Sequence, residues 1–112
     1  MKNRIFFSPD AKTDLSKISN YLSAKSPEAE KNVFGKLFKT IDKLEDFPEI
    51  GTPLSAITEI ENGYHFLVSG QYLVFYRHYD RDIYIDRILH CKQDFVRILF
   101  SKNKAAENFS KS

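Results

Sequence analysis

The sequence is poor in the residues that staple or anchor a protein. Cys91 is the only cysteine among 112 residues, so no intrachain disulfide can form and no cysteine-based metal site can be assembled. As a lone thiol it reads as a small, semi-buried apolar residue. His65 and His78 lack a partner at metal-ligand spacing, so no metal and no cofactor is expected. No stretch approaches the roughly 18 consecutive apolar residues of a membrane span. The opening Met1-Lys2-Asn3-Arg4 runs into β-prone residues rather than a signal-peptide core, which sets the expectation of a cytoplasmic protein with no membrane partner.

A large excess of one charge is missing as well. The net charge is +2, with nine basic against ten acidic residues over 1–63 and eight against five over 64–112. The second half is mildly basic, far below the density of a dedicated nucleic-acid binder. What the chain does have is an ordinary globular balance, 42% apolar and 29% charged, at a length that suits one core. A single domain over residues 1–100 is expected, followed by a polar, flexible tail over 101–112.

Arg4-Ile5-Phe6-Phe7 is short and β-prone, and it stops at Ser8-Pro9-Asp10, a helix-start signal of capping hydroxyl plus first-turn proline. Ala11, Leu15, Ile18 and Leu22 then recur at the helical period, with Lys12, Asp14, Ser16, Lys17 and Ser19 on the wet side. Ser26-Pro27-Glu28 repeats the start signal and opens a second helix to about Asp46. Its stripe is Val33, Leu37, Ile41 and Leu44, widened by Phe34 and Phe38. So short a break predicts an antiparallel helical hairpin. Phe47-Pro48 ends it.

Residues 49–63 lose periodicity and read as a connecting loop near the functional face. Tyr64–Val68, Tyr72–Tyr79 and Ile83–His90 are β-prone runs separated by Ser69-Gly70 and Asp80-Arg81-Asp82, which predicts a meander of hairpins. Gln93–Phe100 returns to helical spacing. The fold class is therefore α+β, β-α-α-β-β-β, an antiparallel sheet with an N-terminal helical hairpin on one face and a short C-terminal helix.

Three phrases in this order resemble the RelE/ParE toxin superfamily across residues 4–100. They are Ser8-Pro9-x-Ala11 with Asp14-Leu15, Ile18 and Tyr21-Leu22; Leu44-x-x-Phe47-Pro48-x-x-Gly51; and the late-strand stretch Gly70-x-Tyr72-x-Val74-x-Tyr76-Arg77 with Ile83-x-Ile85-x-Arg87-Ile88-Leu89-His90-x-Lys92-x-Asp94. The last looks like the ParE-like branch. The resemblance implies a RelE/ParE-like fold and the toxin half of a type II toxin–antitoxin pair, of the plasmid-stabilising, growth-inhibiting kind. A cognate antitoxin would wrap it, and operator DNA would be met only through that complex.

Within the superfamily some members cut messenger RNA on the ribosome, while ParE-like members are understood to poison DNA gyrase. Fold alone does not decide between them. RNA cleavage needs a group to activate the 2′-hydroxyl, cations beside the phosphorane and an acid for the leaving oxygen. At positions where the RNA-cutting branch carries an arginine and a tyrosine, this sequence has Leu73 and Ile98, neither able to serve. The favoured expectation is accordingly a gyrase-binding toxin without catalysis of its own. The alternatives are a ribosome-dependent mRNA endoribonuclease using His90, Arg77, Arg87 and Lys92, and an inactive relative that only binds antitoxin.

Arg77, Arg87, His90, Lys92 and Arg97 are the candidate contacts to a target or nucleic acid. Arg77 and Arg87 also suit ion pairs with Asp86, Asp94 or glutamates along the sheet, and Arg87 shares a strand face with Ile83, Ile85 and Leu89 by period-two alternation. Phe34 and Phe38 are candidate antitoxin contacts, or simply a wide core stripe.

Overall fold

A computed structural model describes residues 2–56 and 63–100. The expected tail over 101–112 lies outside the described residues. Strand β1 (Arg4–Phe7) leads into α1 (Pro9–Lys25) and α2 (Pro27–Asp42), which ends in a 3-10 turn over Lys43–Glu45. A two-residue strand β2 (Thr52–Pro53) and a second 3-10 turn precede β3 (His65–Ser69), β4 (Tyr72–Tyr79) and β5 (Asp82–His90). Residues 95–100 form a helical segment, α3.

Both helices start where the capping chemistry puts them. The Ser8 hydroxyl accepts the Ala11 N–H at 3.0 Å and the Ser26 hydroxyl accepts the Ala29 N–H at 2.9 Å, each followed by a proline that has no donor to lose. Gly70 takes a left-handed φ of 59° in the two-residue turn between β3 and β4, a geometry glycine adopts without penalty.

The sheet order is β1-β5-β4-β3-β2. The meander from β2 to β5 is antiparallel, as the hairpin signals require, whereas β1 joins the edge of β5 in parallel, Ile5 opposite Ile83 and Phe7 opposite Ile85. The sheet is therefore mixed. The helical hairpin and three further strands supply the long connection that a parallel pair needs. The stretch read as a plain loop contributes β2, with Thr52 opposite Phe66, and sends Leu54 into the core.

Two apolar layers sandwich the sheet. On the helix side Ala11, Leu37, Ile41 and Leu44 meet Val74, Tyr76, Ile83, Ile85 and Ile88. On the other side Leu54, Phe75, Leu89, Leu99 and Phe100 form a second cluster, with Leu73, Phe95 and Ile98 packed against it. The Tyr76 hydroxyl crosses to the loop after α2, donating to the Pro48 carbonyl at 2.9 Å and accepting the Gly51 N–H at 3.0 Å. A Cβ at Gly51 would lie 2.4 Å from that oxygen, which explains glycine there. Among the described residues, no helix is long and apolar enough to cross a membrane.

Candidate functional site

The site is organised by an irregularity in β5. Tyr76 pairs with Ile85, yet Phe75 pairs with Arg87, so Asp86 is an extra residue on the β5 side of the ladder. Such a bulge ends strict alternation. Ile83 and Ile85 face the helices while Leu89 joins the opposite layer, which corrects the expectation that these residues and Arg87 share one face.

The start of α1 holds this bulge. Ser8, besides capping its helix, donates its N–H to the Ile85 carbonyl at 2.9 Å and its hydroxyl to the Asp86 carbonyl at 2.8 Å. Nearly two turns further on, the Asp14 carboxylate takes Arg87 Nε and Nη2, both at 2.8 Å, and the Ile88 N–H at 3.0 Å. Asp14 is buried, not on the wet side of α1, and Arg87 pairs with it rather than with Asp86, Asp94 or a glutamate. The signal was present in the sequence: Asp14 stands three residues after Ala11 and four before Ile18, on the apolar stripe itself. The bidentate bond to Asp14 raises the Arg87 pKa against the opposing effect of burial. Arg87 is thus a fixed cation whose best donors are already used.

Arg87 and His90 both line a groove of about 600 Å³ between the helical hairpin and the β3–β4 end of the sheet. The His90 ring lies edge-on to Tyr72, accepts the Lys92 N–H at Nδ1 (3.1 Å), and has Nε2 3.1 Å from Gln71 Oε1. With Nδ1 accepting, Nε2 carries the proton and donates. Both ring nitrogens are engaged. Lys17, Lys25 and Lys36 also line the groove, and sequence reasoning missed them because they come from two helices. Its floor includes Ile18, Leu22, Val33 and Ile88. Among the described lining residues Asp14 is the one carboxylate, and it is spent on Arg87 and Ile88.

Arg77 lies elsewhere, on the face away from the helices. Its Nε donates to Asp86 Oδ2 at 2.7 Å, and its guanidinium sits 5.3 Å from the Tyr64 ring centre and 6.0 Å from that of Tyr79. Burial is the largest single effect and opposes its charge, but the hydrogen bond and charge of Asp86 together with the nearby Tyr64 and Tyr79 phenols outweigh it, so its pKa is raised. Burial also pushes the Tyr64 phenol up to about 12. Lys92 and Arg97 are exposed beyond β5, and so is Cys91, which the sequence placed half inside. Cys91 sits in the turn where the chain leaves the sheet. The five candidate residues therefore form no single cluster. Phe34 packs against the core layer and stacks on the exposed Phe38, 5.9 Å between centres, beside a shallow depression between the two helices. Among the described residues, no group of three His, Cys, Asp or Glu is placed to hold a metal.

Comparison with known proteins agrees with this architecture. A structure of the chromosomal ParDE toxin–antitoxin system from P. aeruginosa is similar at a TM-score of 0.64 and 18% identity, covering 80% of this chain and 96% of that one. The RelBE2 toxin–antitoxin complex from Mycobacterium tuberculosis is similar at 0.55 and 22%, covering 80% and 99%. At such identities these likenesses speak for the fold. No curated protein matches the chain. Residues 5–95 match the family described as "ParE toxin of type II toxin-antitoxin system, parDE", and the chain belongs to that family within the RelE/ParE superfamily.

Proposed function

We propose that this toxin acts by gripping DNA gyrase, not by cutting RNA, and that a cognate antitoxin neutralises it. The observation that carries the reading is the fate of Leu73 and Ile98. Both pack against the apolar cluster on the outer face, together with Phe75, Leu89 and Leu99. Where an RNA-cutting relative would present an arginine and a tyrosine to a phosphate, this chain has a filled hydrophobic layer. Charge that develops in a phosphorane would find no compensation there.

Arg77, Lys92 and Arg97, outside that layer, are the proposed contacts to the target. Inhibition of supercoiling by the purified chain, added to gyrase at micromolar concentration, is the expected result. Unaltered supercoiling would sink the reading.

One observation favours a ribosome-dependent ribonuclease: Arg87, His90 and Tyr72 converge on the same groove. Against it stand the bidentate hold of Asp14 on Arg87 and the double engagement of the His90 ring. Cleaved transcripts in a translation mixture, lost in His90→Ala, would establish that second reading.

A further inference from the structure

The groove between the helical hairpin and the sheet has the size and lining of a small-molecule site. Its volume of about 600 Å³ falls inside the roughly 300–1,000 Å³ typical of pockets that hold an organic ligand. Ile18 and Leu22 on α1, Val33 on α2 and Ile88 on β5 put branched aliphatic surface on several of its walls. An alkyl chain laid between them is removed from water on more than one side. Lys17 and Lys25 on α1 and Lys36 on α2 also line the groove, and all three are exposed. Their charge is not balanced from within: among the described residues none of the three has an ion-pair partner, and Asp14 is committed to Arg87 and the Ile88 N–H.

We infer that the groove binds a single-chain anionic amphiphile, a free fatty acid of medium length, with its alkyl chain against the aliphatic walls and its carboxylate among the lysine ammonium groups. The unbalanced charge selects an anion. The walls select what the anion carries: they match saturated hydrocarbon, not rings. A nucleotide shares the charge but needs a ring face for its base, and of the two tyrosines in the lining Tyr72 is buried with its ring edge-on to His90, while Tyr21 has the Lys25 ammonium 4.5 Å from its centre. A phosphate headgroup is best gripped by a planar guanidinium, and the one in the groove, Arg87, already gives two of its N–H groups to Asp14. A lone carboxylate needs only the compact charge that lysine offers. Binding of this kind requires neither gyrase nor RNA.

The probe is sodium dodecanoate, kept below the concentration at which it forms micelles and titrated into the full chain. It should bind one to one, shift the backbone amide resonances of Ile18, Leu22, Val33 and Ile88, and raise the thermal unfolding midpoint, since it binds the folded chain. Along the series octanoate, decanoate, dodecanoate the affinity should rise by up to about fourfold for each methylene that the walls cover. Dodecanol, which has the chain without the charge, should bind at least about tenfold more weakly, and so should dodecanoate to the double variant Lys17→Glu, Lys36→Glu, whose positions are exposed. The chain series and the alcohol use the unmodified protein, so a folding defect in the variant leaves the test intact. Affinity that is flat along the series, or alcohol that binds as well as the acid, overturns the inference. So do shifts spread over the whole chain with a lowered midpoint, which is detergent action, and occupation of the groove by vesicles of anionic phospholipid or by an oligothymidylate when dodecanoate leaves it empty. Supercoiling assays score the toxin reading separately, because dodecanoate binding neither needs gyrase inhibition nor predicts it.

Discussion

The two faces of this sheet are built on opposite principles. The helix face contains a buried ion pair, a bound backbone N–H and a lysine-rimmed groove; the outer face, over the same strands, is filled with Phe75, Leu89, Leu99 and Phe100. The polar groups of the first are consumed in holding α1 against the β5 bulge. The apolar groups of the second form a continuous packed layer that Leu73, Phe95 and Ile98 complete. Polarity on one face therefore serves construction, while the other face is closed by apolar packing.

The largest expected effect tests the outer face. Phe75 is fully buried. Phe75→Ala should cost about 3–5 kcal/mol in urea unfolding through lost transfer energy and a residual cavity. A loss below about 1 kcal/mol would show that α3 packs only loosely on the sheet, and the contrast of faces would fail.

Next comes the polar lock. Asp14→Ala leaves Arg87 without its counter-charge and the Ile88 N–H without an acceptor, a loss of about 3 kcal/mol. The informative comparison is the double variant Asp14→Leu, Arg87→Met. Removing both charges should recover most of that loss, because a well-packed apolar pair avoids the desolvation that the ion pair incurs. Failure to recover would mean that the lock contributes net stability, not only the position of the bulge. A smaller effect, about 1 kcal/mol, is expected for Ser8→Ala, which loses the α1 cap and one clamp on Asp86. Amide exchange around Asp86 should accelerate in that variant; unchanged protection would show that the Asp14 contacts hold the bulge alone.

The contrast also explains what was legible in the sequence. Ala11, Ile18, Leu37 and Ile41 declared their helices by period, and Ser8-Pro9 and Ser26-Pro27 declared where these begin. Tyr72–Tyr79 and the late strands stood out as β-prone runs between turn residues. The bulge had no such mark, because an added residue in β5 changes which face Leu89 occupies without changing composition. Asp14 was read as a wet residue since a carboxylate in an amphipathic helix usually is one, although its place on the stripe contradicted that. The groove was invisible for a different reason: Lys17, Lys25 and Lys36 converge only after α1 and α2 fold back on each other and onto the sheet.

The smallest stability effect, and the sharpest functional one, belongs to Arg77. Its side chain is 39% exposed, so Arg77→Ala should change unfolding free energy by no more than about 1 kcal/mol. If it contacts gyrase, the same variant should need about tenfold more protein for equal inhibition. A titration checks the arrangement independently of any target. Burial and then the Asp86 charge push the Tyr64 pKa up to about 12, while Arg77 pulls it back. A phenol whose folded pKa exceeds its unfolded value of 10.0 contributes stability fully below pH 10 and loses it as pH rises toward 12. Removing Arg77 removes the downward pull, so the Tyr64 phenolate band should appear at still higher pH in the variant. An unchanged band would place Arg77 away from Tyr64 in solution. The outer surface would then offer a freely mobile arginine, and its share in target binding would have to come from charge alone rather than from a guanidinium set between two rings.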